Sequence, residues 1–276
     1  GLLRENAQGL VGRVMSRAQA QRSAQEIEAE QRRMVELAGQ AALENGVTSF
    51  HDAGSDFETI DFLKRLEAEG RLPVRLYVMV RGEPNDTLAV RLADYRMVAE
   101  GNDFLTVRSI KHSIDGALGA HGAWLLAPYA DMPSSAGLNT TDPAVIERTA
   151  QIAIENGFQV NTHAIGDRAN REVLDIYERT FAAHPDRTDV RWRIEHAQIV
   201  HPDDLGRLTG ICLATQPIHY LADLPWVADR IGTHRLAWGY RARSLMEAGA
   251  VVGFGSDFPI ECGNPLKGLA ALEQDS

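Results

Sequence analysis

The pattern of apolar and polar positions along this chain repeats one sentence. A stretch with helical periodicity ends at a glycine, and a short apolar, β-rich run follows. Glu44-Asn45-Gly46 leads into Val47–Phe50, Glu155-Asn156-Gly157 into Phe158–Val160, and Glu247-Ala248-Gly249 into Ala250–Phe254. Gly70 before Leu72–Val80 and Gly210 before Ile211–Ala214 are looser copies. Glycine just past a helix takes the left-handed conformation without a Cβ clash, so each of these marks a helix end. Helix starts are legible as well: Ser23-Ala24-Gln25-Glu26 has the spacing of a capping box, and Asp142-Pro143 reads as an N-cap with proline in the first turn. The pattern predicts seven strands, near 46–53, 73–80, 106–115, 157–164, 190–198, 211–217 and 250–257. Strands alternating with helices at this scale specify βαβ units and a parallel sheet. Residues 1–22 read as an irregular or helical lead-in and 118–141 as a long loop.

Side-chain alternation indicates which strand faces matter. Within 106–115, Val107, Ser109, Lys111, Ser113 and Asp115 share one face, and Arg108, Ile110, His112 and Ile114 the other. Within 250–257, Val251, Gly253, Gly255 and Asp257 line up, small residues leading to one carboxylate. That taper suits the crowded interior of a barrel. The run 190–198 is less regular, with Arg191, Arg193 and Glu195 opposite Trp192, Ile194 and His196. A chain of 276 residues is close to the ~250 of one (β/α)8 barrel, so residues 1–276 read as a single, partial barrel domain.

Composition narrows the functional classes. Hydrophobic residues at 44% and charged ones at 24% fit a globular protein and exclude a disordered or fibrous one. The net charge of −10 argues against unspecific binding to nucleic acid or anionic lipid. Cys212 and Cys262 alone form neither a disulfide framework nor a four-cysteine zinc site. No apolar run reaches the ~18 residues of a membrane span. The expected location is the cytoplasm, with a targeting segment upstream of Gly1 left open, and a homo-oligomer is possible.

Polar residues gather where the predicted strands end: His51-Asp52, Lys111 with Asp115, His163, His196, Gln216 with His219, and Asp257. In a parallel barrel every strand's C-terminal end opens on the same face, so these groups converge despite long separations. Two histidines, an aspartate and a lysine suit a hydrolytic divalent metal site, zinc being the first choice. Lysine serves there only when desolvated and carboxylated by CO2, which turns a cation into a bridging carboxylate. Each residue has a bland reading too: a satisfied histidine, a solvated strand-end lysine, and for Asp257 a cap before Phe258-Pro259. Their joint placement favours the site.

The local motifs add to this. Gly46-Val47-Thr48-Ser49, His51-Asp52-Ala53-Gly54, Ile110-Lys111 with Asp115-Gly116-Ala117-Leu118-Gly119, Asn161-Thr162-His163-Ala164-Ile165-Gly166-Asp167, Arg193-Ile194-Glu195-His196-Ala197, Gln216-Pro217 and Gly255-Ser256-Asp257-Phe258-Pro259 occur in that order. Together they closely resemble the YtcJ-like branch of the amidohydrolase superfamily, from Gly1-Leu2-Leu3-Arg4-Glu5 to Asn264-Pro265-Leu266. The resemblance implies a (β/α)8 barrel with a small β-sandwich, and metal-dependent hydrolysis of C–N bonds in amides, formamides or cyclic ureas. By it, Lys111 matches the strand-four lysine, His163 and His196 the metal histidines of strands five and six, and Asp257 the strand-eight aspartate. Two departures stand out. The family's His-X-His pair, which closes strand one, occurs nowhere in this sequence, and the sandwich strands are missing. Polar His112 also stands beside Lys111, where an apolar residue is expected.

Two functional readings follow. In the first, a divalent metal, one ion or two with carboxylated Lys111 between them, is held by Lys111, His163, His196 and Asp257. Asp257 then acts as the base and His196 assists, while His51, Asp115, Gln216 and His219 contact a small amide-type substrate. In the second, the barrel lacks working chemistry and serves as a ligand-binding or structural module. For the 276 residues alone the expectation is weak metal affinity and little turnover. A sugar-phosphate barrel enzyme would want a glycine-rich phosphate cradle, and Gly253-Phe254-Gly255 is too little.

Overall fold

The computed structural model describes residues 3, 5–19 and 21–274. Gly1, Leu2 and Arg4 of the N-terminal motif, with Ala20, Asp275 and Ser276, lie outside the described residues. The strands are β1 (Ser49–Ser55), β2 (Arg75–Val80), β3 (Met97–Ala99), β4 (Leu105–Ser113), β5 (Gln159–Ala164), β6 (Arg193–His196), β7 (Cys212–Thr215) and β8 (Val251–Phe254). All seven predicted strands form, within two or three residues of the expected bounds. The three-residue β3, which pairs antiparallel with β4 through Met97 and Val107, was not legible in the pattern.

The other seven pair in parallel in the order β1-β2-β4-β5-β6-β7-β8 and alternate with helices. The curled sheet matches a (β/α)8 amidohydrolase barrel with seven of its strands, β1 and β8 being the two edges. All described strands belong to this one sheet, so no sandwich is present among the described residues. Curling brings the edges close enough for the Phe50 and Phe258 rings to meet edge to face, 6.4 Å between centroids.

Local chemistry sets the element ends as the sequence implies. Ser23 Oγ accepts from the Glu26 N–H, and Glu26 Oε2 accepts from the Ser23 N–H, completing the capping box. Asp142 Oδ1 accepts from the Ala144 N–H at 2.9 Å. Gly46, Gly157 and Gly249 all have left-handed φ, between 70° and 88°. The lead-in is a 3-10 turn (Glu5–Gln8) and a helix (Gly9–Gln19).

The apolar core lies between the outer face of the sheet and the helices. Val78, Val80, Ile110, Val160, Ile194 and Leu213 meet Phe62, Ile146, Val173 and Tyr177 there. His112 belongs to this outer layer: its Nε2 lies 2.9 Å from Thr149 Oγ1 on the helix Pro143–Glu155, which explains a polar residue where an apolar one was expected. A second cluster joins segment 118–141 to 226–240 around Leu125, Tyr129, Val227 and Ile231. Buried Arg235 ties the two together by donating to the carbonyls of Ala127 and Pro128 at 3.0 and 2.7 Å. The expected crowding at β8 is corrected. As an edge strand it leaves its inner face open, with Val251 61% exposed. No described helix is long and apolar enough to cross a membrane.

Candidate active site

Strand register sets the site in levels. Lys111, Asn161 and Arg193 stand side by side on β4, β5 and β6, and one level further toward the C-terminal ends stand Ser113, His163 and Glu195. These inner-face positions are polar, while Ile194 of β6 and Trp192 just before it point out into the core. By alternation His196 should also point outward. It does not, because the backbone turns left-handed at His196 (φ 74°) and Ala197 (φ 44°) and swings the imidazole back over the barrel. The His163 and His196 rings then meet edge to face at 4.5 Å, and His219 stacks against His196 at 6.0 Å.

Electrostatics keep both histidines neutral. Burial, reinforced by the positive charge of Lys111, pushes His163 down to about 3, and burial with the neighbouring His163 holds His196 well below its ordinary range. Neutral imidazole is the form that binds metal. Gln216 fixes the His196 tautomer. Its amide nitrogen donates to Ala214 O at 3.0 Å, so its Oε1 is the acceptor 2.7 Å from His196 Nδ1. The proton therefore sits on Nδ1 and Nε2 keeps a lone pair. Lys111 is buried, and that burial lowers its ammonium to about 8 against the pull of Glu195. Burial likewise raises Asp257, opposed by His219 and Lys111. Asp257 adopts a left-handed φ of 55° just past β8.

Several of the residues expected to contact substrate already have partners within the fold. The Asp115 carboxylate is fully enclosed. Its Oδ1 accepts from the Ile165 N–H at 3.0 Å, its Oδ2 from Gly166 at 2.8 Å and Trp124 at 2.9 Å, and His163 Nε2 lies 3.4 Å away. It is a clasp between the loops after β4 and β5. Gln216 is spent on His196. His51 is tied down at the β1 edge, where its Nδ1 accepts from Arg193 Nη1 at 3.0 Å and its ring lies 4.9 Å from Tyr77. His219 remains available, with a buried Nε2 that has no hydrogen-bond partner. Sequence reasoning missed the Arg193–Glu195 ion pair, 3.0 Å long, which fills the barrel interior. The signal was present, since two opposite charges share one face of β6.

The donors fit a divalent metal in kind: His163 and His196 are neutral, and buried His163 Nε2 has no hydrogen-bond partner. They fall short in number, since no three His, Cys, Asp or Glu side chains gather as ligands among the described residues.

The comparisons with known proteins agree with this architecture. The chain is 32% identical over 217 residues to YtcJ of Bacillus subtilis, named as an amidohydrolase, covering 77% of this chain and 39% of that protein. It is 38% identical over 171 residues to LONG AFTER FAR-RED 3 of Arabidopsis thaliana, 61% of this chain and 29% of that one. An uncharacterized metal-dependent hydrolase from Pyrococcus horikoshii superposes with a TM-score of 0.76 at 31% identity, over 88% of this chain and 48% of that one. One from Pyrococcus furiosus gives 0.74 at 29%, over 87% and 49%. The chain thus spans less than half the length of each of these relatives. With a model of the amidohydrolase family matching residues 1–272, on a seven-strand part of the corresponding barrel, the chain belongs to the amidohydrolase family.

Proposed function

We propose that the protein is a metal-dependent hydrolase of C–N bonds outside peptides, acting on small amides, formamides or cyclic amides. The observation that supports this reading is the meeting of two neutral imidazoles, His163 and His196, at 4.5 Å over the ends of β5 and β6, with desolvated Lys111 one level below. A divalent ion, zinc by the imidazole-rich donor set, would be held by His163 and His196, with Asp257 and Lys111 drawn in to complete the ligand set, and would supply an acidified water and a polarised carbonyl. The protein's own groups do the rest. Asp257, its proton affinity raised by burial, takes the proton of the attacking water and delivers it to the leaving nitrogen. His196, oriented by Gln216, presents Nε2 to the site, and His219 contacts the substrate. Lys111, with its ammonium destabilised, is the residue open to carboxylation.

The test is amine release from a panel of N-acyl and N-formyl amines, after chelation and after zinc is restored, with bound metal measured by elemental analysis. Turnover that follows the metal, and a loss of roughly 10²–10⁴-fold in Asp257→Asn, are expected. Chelation without effect, or a fully active Asp257→Asn, defeats the proposal. A second reading, a barrel that binds ligands without turnover, is favoured by the absence of a three-ligand group among the described residues. Ligand binding with no amine release from any compound would support it instead.

A further inference from the structure

We propose that Arg81 is the carboxylate-recognising residue of this site, so that the substrate is an amide bearing an anionic group a few bonds from the C–N bond, as in an N-acyl amino acid. The inference rests on the hydrolase reading and adds a substrate class to it. Arg81 directly follows β2, and its backbone N–H donates to Ser55 O at 2.9 Å, fixing the start of the side chain beside β1. The guanidinium Nη2 reaches Ser113 Oγ at 3.3 Å. Ser113 is the register partner of His163, and neighbouring strands lie about 5 Å apart. The cation therefore stands at the mouth, within the span of a small substrate from His163.

The route of this side chain is built into the backbone. A Cβ at Gly54 would lie 2.4 Å from Arg81 Cδ and 2.6 Å from its Cβ, so the stem crosses β1 only because residue 54 has no side chain. Gly54 sits where the β1–β2 register shifts, between Asp52 and Ser55. No acidic side chain among the described residues neutralises the guanidinium. Among the described residues Arg81 has no ion-pair partner, and the nearby acids are engaged elsewhere. Asp52 Oδ2 accepts from the Ser55 hydroxyl, and Glu83 Oε1 accepts from the Phe57 N–H at 2.9 Å. Its charge is felt by Lys111 and His163 on the inner face and by His112 on the outer one, as expected of a cation beside the C-terminal end of β4. A planar guanidinium whose side-chain partner among the described residues is a neutral hydroxyl retains the paired N–H donors that grip a carboxylate.

The experiment compares N-acetylalanine with the uncharged N-acetylalaninamide, each titrated calorimetrically into the protein, Arg81→Met and Arg81→Lys at low salt. The expected result is about tenfold tighter binding of the acid, lost in Arg81→Met and partly kept in Arg81→Lys. Absence of measurable acid binding, no preference for the acid, or the same preference in Arg81→Met would overturn the assignment. Amine release from the same two compounds is read separately. Acid-selective, Arg81-dependent binding without hydrolysis supports the recognition role and counts against the hydrolase reading. Equal hydrolysis of both compounds keeps the hydrolase reading and overturns the role of Arg81.

Discussion

Asp115 offers the sharpest test of how the site is held. Its enclosed carboxylate serves three backbone N–H groups, from Trp124, Ile165 and Gly166, at 2.8–3.0 Å. In Asp115→Ala all three lose their acceptor. An unsatisfied buried donor costs about 1–3 kcal/mol, and partial relaxation of the loops brings the total to about 3–6 kcal/mol. Asp115→Asn is milder and more informative. Its single carbonyl oxygen can still serve Gly166 and Trp124, which share Oδ2 in the wild type. The new NH2 then faces the Ile165 N–H and leaves that one donor orphaned, while it can donate to His163 Nε2. The expected cost is about 1–3 kcal/mol. Urea unfolding at pH 7.5, with unchanged denaturant dependence, measures both. A loss below about 1 kcal/mol in Asp115→Ala, or equal losses in the two variants, would refute the clasp.

Two further outcomes follow from the same geometry. A Cβ at Gly166 would stand 2.0 Å from the Trp124 carbonyl oxygen, whereas at Gly206 nothing lies within 4 Å. Gly166→Ala should therefore cost several kcal/mol, on the order of other overpacked core sites, and speed proteolysis of segment 118–141, while Gly206→Ala leaves both unchanged. Acid should destabilise the fold. His112 and His163 are held down at about 4 and 3, and His196 well below its ordinary range. As pH falls from about 6.5 to 4 the unfolded chain takes up protons that these folded histidines refuse, so stability drops. Asp115, raised to about 7 by burial, works with the opposite sign in that window, as do the less strongly raised Asp167, Asp223 and Asp257, but His51, held at about 4, makes four strongly depressed histidines against them. Unfolding free energies at pH 7.5 and 5.0 check this; higher stability at pH 5.0 would show the sign to be wrong, and His112→Gln should flatten the dependence.

What the sequence determined by itself is what depends on near neighbours. Gly46, Gly157 and Gly249 end their helices because only glycine takes that φ freely, and the Ser23 box caps its helix with a partner three residues away. Strand alternation placed Lys111 on the inner face and His112 outside, and the order of strand ends brought His163 and His196 to one mouth. Tertiary structure decided which partner each polar group meets. His196 lies against the alternation of β6 because its backbone turns left-handed where the chain leaves the sheet. Asp115 and Gln216 read as substrate contacts from their positions alone, yet their hydrogen-bonding capacity is taken by groups brought from other strands: Ile165 and Gly166 on one side, His196 on the other. The open inner face of β8, and the passage of Arg81 across Gly54, likewise arise from how the strands are set beside one another. A buried polar group must find a partner wherever the fold supplies one, and a pattern of residue types carries no record of which long-range neighbour that is.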